Sequence, residues 1–382
     1  MRGFHFHGVT LPPEAESARQ RVRAFLDEER RSNRYVPRRS SWSTFDPEFS
    51  ARAGAAGLIG VTWPKEFGGQ ELSSLSRFVI TEEMLAAGAP CGAHWIADRQ
   101  SGPQILRHGS ERAKRQILPQ IARGQCFFGI GMSEPGSGSD LAAVRTRATK
   151  CEGGWLVEGS KIWTTNAHHV HYLIALVRTG EPGPDRHQGL TQLLIDLSQP
   201  GVTIRPIKDI GGHHEFNEVF FNDYFVSDDM MVGGEGDGWS MVTSELAFER
   251  SGPDRFLSDF RLLVELVEHV GANPDQRQAM EIGRLVAHLA ALLRMSTSIA
   301  DLLDQGKSPN TQAALVKDVG TAFERDIPEV VRRLVPLEAS FEDEDPLSET
   351  QADVLLRAPS FTLRGGTREI LRSVIARGLG LR

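Results

Sequence analysis

Apolar residues recur three or four positions apart in the first third of the chain, which predicts helices there. Pro12, Pro13 and Glu14 can open a helix, and charged residues separate its apolar positions, which are Ala18, Val22, Phe25 and Leu26. Residues 72–87 and 102–118 repeat the pattern, and the core positions predicted in them are Ile80, Met84, Leu85, Ile105 and Leu106. Residues 1–125 are therefore predicted to form an N-terminal helical domain.

The pattern changes to short apolar runs between residues 126 and 232. Runs rich in β-branched and aromatic residues, separated by Gly, Pro or Asp, cover 155–157, 172–177, 190–197, 202–207 and 219–226. Short strands at close spacing predict an antiparallel barrel or sandwich. They disfavour a Rossmann fold, in which strands alternate with helices.

Helical spacing returns after the glycine-rich loop 233–238. One predicted apolar face consists of Phe256, Leu257, Phe260, Leu263, Val264 and Val267. A second consists of Ile282, Leu285, Val286, Leu289, Leu292 and Leu293. Such faces bury against neighbouring helices, so residues 233–382 are predicted to form a C-terminal helical bundle.

Composition narrows the class of protein. The 382 residues carry a net charge of -7 with an isoelectric point near 6.0, which argues against a general nucleic-acid surface. No apolar run approaches the roughly 20 residues of a membrane span, and residues 1–10 lack a signal-peptide core. Three cysteines in a chain of this size indicate a reducing compartment, so a cytoplasmic enzyme is expected.

Two stretches stand out for their chemistry. Residues 128–140 run from strand-like residues into a turn of Pro, Gly and Ser, whose exposed N–H and hydroxyl groups can wrap a phosphate or a flat ring. Residues 159–166 place Trp163 and two hydroxyls on a strand of alternating character. Taken alone, the first is also compatible with an ordinary polar turn and the second with a strand that half-buries its Trp.

Together the two stretches resemble the acyl-CoA dehydrogenase family of flavoproteins. Its T/S-E-P-x-x-G-S-D loop corresponds to residues 133–140 and its G-x-K-x-W-x-T-N stretch to residues 159–166. The loop 64–69 matches the family's P-x-E-x-G-G loop, in the right order. The resemblance implies an α+β fold with an N-terminal helical domain, a middle antiparallel β-barrel and a C-terminal four-helix bundle, and FAD as the cofactor.

The resemblance also implies which residues bind. Met132 and Ser133 would meet the flavin ring, Trp163 with Thr165 would cover it, and Ser139 would approach the acyl-CoA. The implied FAD contacts are Ile130, Met132, Ser133, Gly138, Ser139, Trp163, Thr165, Thr367 and Glu369. The implied substrate contacts are Ser139 and Arg250.

The catalytic base requires a choice between two positions. In the family's commonest arrangement a Glu precedes Gly-Thr near the C-terminus, and this chain has Gly365 there, which cannot take a proton. A minority, including isovaleryl and some steroid side-chain enzymes, places the base in a Glu-Arg pair after the barrel, here Glu249 with Arg250. Glu249 is the predicted base, with Glu245 and Glu369 in reserve. The competing interpretation of Glu249 is a surface ion pair or a helix end.

The implied reaction is an oxidation at a CH–CH bond. Glu249 would take the α-proton of an acyl-CoA thioester while the β-hydride passes to flavin N5, giving a trans-2-enoyl thioester. Main-chain N–H groups of Gly365 or Gly366 and the ribityl 2'-hydroxyl would hold the thioester carbonyl. Electrons would pass to electron-transfer flavoprotein or a similar acceptor, in β-oxidation of a fatty acid or side chain.

Two family segments are not found in the sequence. The R-x-x-F-G segment is missing, and Val335-Pro336-Leu337-Glu338 takes the place of Q-x-x-G-G-x-G-Y, so the adenine-side FAD contacts stay undefined. The absence of these segments is compatible with a heterotetramer. A homodimer and a homotetramer also stay open.

Two functional alternatives stay open: a dioxygen-using relative (an acyl-CoA oxidase or flavin monooxygenase) and a non-catalytic partner subunit.

A metal site would draw on five histidines. His168, His169, His171, His213 and His214 have no Cys or carboxylate at ligand spacing beside them, so no metal site is expected.

Overall fold

The computed structural model describes residues 5–37, 40–181, 183–343 and 345–381, without the side chains of residues 246–249. The described chain divides into two compact units. Unit 1 consists of the residues up to Thr44, Leu72–Cys91 and the residues from Leu246 onward, and unit 2 consists of Phe45–Glu71 and Gly92–Glu245. The three-domain division at residues 125 and 232 stays a prediction.

Helices and strands are numbered in chain order. The helices in the described residues are α1 (Pro13–Arg31), α2 (Pro47–Ala55), α3 (Ser74–Ala86), α4 (Gly102–His108), α5 (Glu111–Ala122), α6 (Gly238–Ser251), α7 (Phe260–Val270), α8 (Gln276–Asp304), α9 (Asn310–Leu334), α10 (Pro346–Phe361) and α11 (Arg368–Gly378). The strands are β1 (Phe128–Gly131), β2 (Arg147–Cys151), β3 (Gly154–Thr165), β4 (Tyr172–Arg178), β5 (Leu190–Asp196), β6 (Val202–Ile207), β7 (Phe216–Ser227) and β8 (Met231–Val232).

Unit 1 is helical and is organised around α9. This helix packs against α7, α8, α10 and α11. Because these neighbours cover it on several sides, its buried positions are spread around much of the helix. Helix α3 packs against α1 and α8. The predicted apolar faces are only partly buried, since Val267 of α7 and Val286 of α8 are exposed. Of the N-terminal core positions, Phe25 and Leu106 are half-buried.

Unit 2 holds one sheet of eight strands, in the order β6-β7-β3-β2-β4-β5-β8, with β1 paired to β4. The five predicted strands are confirmed, and the two long strands β3 and β7 form its antiparallel centre. The pattern missed β2, which is rich in charged residues, and β8, which has two residues. The prediction that all strands pair antiparallel is wrong, because β1 and β2 each pair with β4 in parallel.

The predicted α+β class is confirmed, with N-terminal helices, a middle sheet and C-terminal helices. The order of the described strands has two ends, so the pairing shows an open sheet. A closed barrel and a four-helix bundle are finer statements that the strand pairing does not establish.

One helix in the described part of the chain, α8, is long and apolar enough by length and composition to cross a membrane. The expectation that no segment reaches this length is therefore wrong. A third of its most apolar window is buried inside the chain. Core helices also meet these criteria, so they do not establish a membrane span.

Candidate functional site

Unit 2 brings the two motif stretches side by side. A methyl group on Gly129 of β1 would lie 3.2 Å from the carbonyl oxygen of Thr165, and one on Gly131 would lie 3.5 Å from Cγ of Lys161. Further along, the N–H of Ile162 donates to the carbonyl oxygen of Ser133 at 2.9 Å. The contact at Gly129 is tighter than most side chains tolerate, whereas that at Gly131 is ordinary van der Waals contact, so both positions place the first stretch against β3.

A buried ion pair joins the two stretches. Nζ of Lys161 lies 2.8 Å from Oε1 of Glu134, and the two side chains are 0% and 8% exposed. Lys161 also donates to the carbonyl oxygen of Met132 at 3.3 Å. The carboxylate accepts the main-chain N–H groups of Arg145 at 2.6 Å and Thr146 at 2.9 Å. Since both charges have several partners, the pair meets the condition under which buried ions are tolerated.

The two pKa values shift in the directions that this environment requires. Burial lowers the pKa of Lys161 to about 8, although the nearby Glu134 opposes the change. Burial would raise the pKa of Glu134, but the charge and hydrogen bond of Lys161, together with Thr146 and Arg145, outweigh it and leave the pKa lowered. The hydrogen bonds and the opposite charge therefore favour the charged form of each group, against the desolvation that burial imposes.

The bonds to Lys161 and Ile162 occupy the carbonyls of Met132 and Ser133. No hydrogen bond within the described residues uses the N–H group of Met132 or Ser133. Because the C=O and N–H of one peptide point in opposite directions, the N–H of Ser133 faces away from Lys161. These two N–H groups are available to a ligand.

Beside them, Trp163 projects from an irregular point of β3. Its φ is 60°, and the register between β3 and β7 shifts between Lys161 and Thr164, as at a β-bulge. The indole is 56% exposed and makes an edge contact with Phe216 at 5.9 Å between ring centroids. An exposed indole beside unused N–H groups fits a flat polar ring such as a flavin.

The remaining predicted positions of unit 2 lie around this point. Ile130 and Thr165 are half-buried, and Gly138 and Ser139 are exposed on the turn. Main-chain hydrogen bonds between Glu134 and Ser137, in both directions, close that turn. The structure therefore collects the predicted flavin contacts of residues 130–165 on neighbouring segments.

Unit 1 contains a glycine loop, Gly365 and Gly366, which precedes α11. Both have positive φ, 66° and 97°, in the region that favours glycine. Nε of Arg250 donates to the carbonyl oxygen of Gly365 at 3.2 Å, and Nζ of Lys317 donates to that of Gly366 at 2.9 Å. Thr367 is the N-cap of α11.

The carboxylates proposed as base are in different settings. Glu249 lies on α6, but its side chain is outside the described residues. Glu245 is buried in unit 2, where Nε2 of Gln104 donates to it at 3.4 Å. Glu369 is exposed on α11, and hydrogen bonds from its own N–H and the Thr367 hydroxyl lower its pKa, which makes it a weaker base.

Lys317 is a contact of the glycine loop that the sequence interpretation missed. It lies in the apolar run Ala-Ala-Leu-Val-Lys of α9, and a lone lysine at a core position was the available signal. Arg250, predicted to bind substrate, is itself buried and contacts Gly365. Its substrate role stays a prediction.

The histidines near the end of β3 contact one another. The ring of His168 stacks on that of His214 at 3.8 Å and lies 3.9 Å from that of His169. In the part of the chain that the structure describes, no group of three or more His, Cys, Asp or Glu residues is arranged to hold a metal ion.

Comparison with known proteins identifies the family. Residues 12–125 match the domain described as "Acyl-CoA dehydrogenase, N-terminal domain", and residues 129–224 match "Acyl-CoA dehydrogenase, middle domain". The chain is 34% identical to the acyl-CoA dehydrogenase IpdE1 of Mycobacterium tuberculosis over 339 residues, which is 87% of each chain. The chain belongs to the acyl-CoA dehydrogenase family. Members of this family are FAD flavoproteins.

Other relatives agree with this assignment. The chain is 34% identical to the acyl-CoA dehydrogenase FadE34 of Mycobacterium tuberculosis over 85% of its length, but spans only 45% of that protein. Among solved structures, the ChsE4-ChsE5 complex from the same organism matches with a TM-score of 0.83 at 27% identity, over 98% of this chain and 100% of the other. A structure named "Tcur3481-Tcur3483 steroid ACAD" matches with a TM-score of 0.83 at 26% identity, over 98% and 99%.

These matches confirm the predicted family and its cofactor, FAD. They also confirm the predicted reaction class, which is the dehydrogenation of acyl-CoA thioesters.

Proposed function

We propose that this chain dehydrogenates the α,β bond of an acyl-CoA thioester with FAD as cofactor and Glu249 as base. The observation that carries this proposal is the arrangement of the unused N–H groups of Met132 and Ser133 beside the exposed indole of Trp163. The glycine at position 365 supports the choice of base, because the usual carboxylate is missing there.

The residues of unit 2 hold the flavin. Met132 and Ser133 donate main-chain N–H groups, Ser133 adds its hydroxyl, and Trp163 with Thr165 covers the ring. When bound, FAD supplies the acceptor for the β-hydride. Ile130, Gly138 and Ser139 complete these contacts, and Ser139 also meets the acyl-CoA. Thr367 and Glu369, at the N-terminus of α11, add further FAD contacts.

Residues of unit 1 act on the thioester. The N–H of Gly365 or Gly366 holds the carbonyl oxygen and stabilises the charge that develops there, which acidifies the α C–H. Glu249 takes the α-proton. Arg250 supports the substrate through the loop that it contacts at Gly365.

The acyl group is proposed to be branched or bulky, because Gly365 leaves space where other members carry a Glu. Electrons leave to electron-transfer flavoprotein or a similar acceptor, as part of cytoplasmic β-oxidation of a fatty acid or side chain. The chain assembles as a homodimer, homotetramer or heterotetramer, and a structure similar to it is named as a ChsE4-ChsE5 complex.

We infer that the sheet of unit 2 curves into a barrel. We also infer that α7, α8, α9 and α10 form a four-helix bundle, which the contacts of α9 with the other three helices and of α7 with α10 support.

The test begins with the visible spectrum of the purified protein and anaerobic bleaching by a panel of acyl-CoA thioesters. A yellow protein whose flavin is bleached supports the proposal. A colourless protein favours a non-catalytic partner subunit. Turnover that requires dioxygen and fails with an artificial acceptor favours an oxidase or monooxygenase.

The base is tested with Glu249→Gln and the matched variant Glu245→Gln. The first should keep its yellow colour and bind acyl-CoA but lose turnover by about 100-fold or more, as expected for removal of a general base. The second should keep turnover. The opposite pattern would assign the base to Glu245.

A further inference from the structure

Helix α9 carries three charged side chains that hold alternate residues around the glycine loop. Nζ of Lys317 donates to the carbonyl oxygen of Gly366 at 2.9 Å. Nη2 of Arg364 lies 2.9 Å from Glu324, and Nε of Arg368 lies 2.6 Å from Asp318. The contacts with residues 364, 366 and 368 therefore all come from one helix.

The spacing along α9 explains why Lys317 and Glu324 reach the same segment. Lys317 and Glu324 are seven positions apart, which is two helical turns, so they lie on the same face. Both are 0% exposed. Burying a lysine and a glutamate is costly unless each is bonded, and the segment 364–366 contributes a bond to each.

The Arg364 side chain is fixed on several sides. Its guanidinium lies 5.2 Å from the ring centroid of Trp42 and 5.0 Å from that of Phe361. Its partner Glu324 also accepts the N–H of Ser258 at 3.1 Å. The residue that precedes the glycine loop therefore has little freedom to move.

Within the loop, the two carbonyls point toward buried cations, Gly365 toward Arg250 and Gly366 toward Lys317. In a peptide the N–H points opposite to the C=O, so the N–H of Gly366 points away from Arg250. No hydrogen bond within the described residues uses the N–H groups of Gly365 or Gly366. Glycine alone has no preferred conformation, so side chains outside the loop must fix these N–H directions.

We propose that Lys317 is a positioning residue for catalysis, which fixes the glycine loop so that its N–H groups are aimed at the thioester carbonyl. The proposal rests on the function proposed above. A buried charge is a poor means of adding stability but a specific means of fixing one backbone conformation. Lys317 acts through the loop carbonyl that it holds.

The experiment compares Lys317→Met and Lys317→Arg with Arg357→Met as a matched control. Arg357 is a partly buried cation of unit 1 that pairs with Asp353 on α10. Amide hydrogen exchange of the segment 362–370 is measured on the purified flavin-containing proteins. Turnover is measured with the acyl-CoA thioester of the panel that bleaches the wild-type flavin fastest.

The loop amides of Lys317→Met should exchange about 10-fold faster or more, because the loop opens locally without its anchor. Its kcat should fall by about 100-fold, as for a small misplacement of catalytic groups, while KM changes by about 3-fold or less. Lys317→Arg should recover part of both losses. Arg357→Met should leave loop exchange and kcat within about 2-fold of the wild type.

Loop exchange in Lys317→Met equal to that in Arg357→Met would overturn the proposal, as would a change in KM alone. A wild-type protein whose flavin no thioester bleaches would instead reject the dehydrogenase function. The exchange measurement would then decide by itself whether Lys317 anchors the loop.

Discussion

Glu134 and Lys161 lie 27 residues apart in the sequence and form an ion pair of 2.8 Å that is almost wholly buried. Each belongs to one of the two stretches from which the flavin site was predicted. The pair therefore sets the position of one stretch against the other, and Lys161 additionally holds the carbonyl of Met132.

Lys161→Met should destabilise the protein strongly, because it leaves the carboxylate of Glu134 buried without its cation. We expect the free energy of unfolding to fall by about 3 to 5 kcal/mol and flavin to be lost on dialysis. Lys150→Met is the matched control: Lys150 forms an exposed ion pair with Asp228 next to β3, and its loss should cost about 1 kcal/mol or less. Denaturant unfolding compares the two, and equal losses would contradict the structural role of the buried pair.

Trp163→Ala should weaken flavin binding without destabilising the protein. The indole is 56% exposed, so its removal should change the free energy of unfolding by about 0.5 kcal/mol or less. Loss of its stacking on the flavin should raise the Kd for FAD by up to about 10-fold. Phe225→Ala removes another exposed aromatic residue of the sheet and should leave the Kd unchanged. Flavin titration of the apoprotein measures both, and an unchanged Kd in Trp163→Ala would exclude the indole as a cover.

Asp259→Asn should stabilise the protein at neutral and alkaline pH. Both carboxylate oxygens of Asp259 are buried without a hydrogen-bond partner among the described residues. Burial, reinforced by the charge of Glu324, raises its pKa well above the usual range, although Arg364 and Arg357 oppose this. Since the folded pKa is above the unfolded one, the stability contribution is complete below about pH 4 and is lost as the pH rises through the folded pKa.

The variant keeps a neutral group of the same shape at every pH. It should equal the wild type near pH 4 and exceed it by about 1 to 3 kcal/mol at higher pH. Asp27→Asn, at an exposed position of α1, should follow the wild type across the same range. Unfolding in denaturant from pH 4 to 9 measures the differences. An Asp259→Asn protein that is less stable than the wild type at pH 8 would show that the carboxylate is charged and needed.

Gly366→Ala should lower activity through backbone strain. The φ of 97° is unfavourable for alanine, and a methyl group would lie 3.2 Å from Nη2 of Arg250. We expect a loss of about 1 to 3 kcal/mol in the free energy of unfolding, together with a fall in kcat. Gly283→Ala is the matched control, since its methyl group would meet no atom within 4 Å in the middle of α8, where alanine should add up to about 1 kcal/mol. Thermal unfolding and steady-state kinetics compare the two, and full activity in Gly366→Ala would argue against a fixed loop.

The pattern of apolar and polar residues predicted the strands whose burial is visible in their own sequence. The alternating residues of β3 and the apolar runs of β4 and β5 required no knowledge of their neighbours, because each strand carries its own burial pattern. The strand β2 could not be predicted in this way. Its charged residues form a strand only because β3 pairs with it.

For the site, the sequence by itself determined the residue types: the polar turn that ends in Asp140, the indole at 163 and the glycines at 365 and 366. Only the tertiary structure decided that Lys161 joins Glu134 and that Lys317 holds Gly366. These partners are 27 and 49 residues apart, so no local pattern links them. A buried cation needs a hydrogen-bond or ion-pair partner. The path of the chain in three dimensions decides which group lies within its reach.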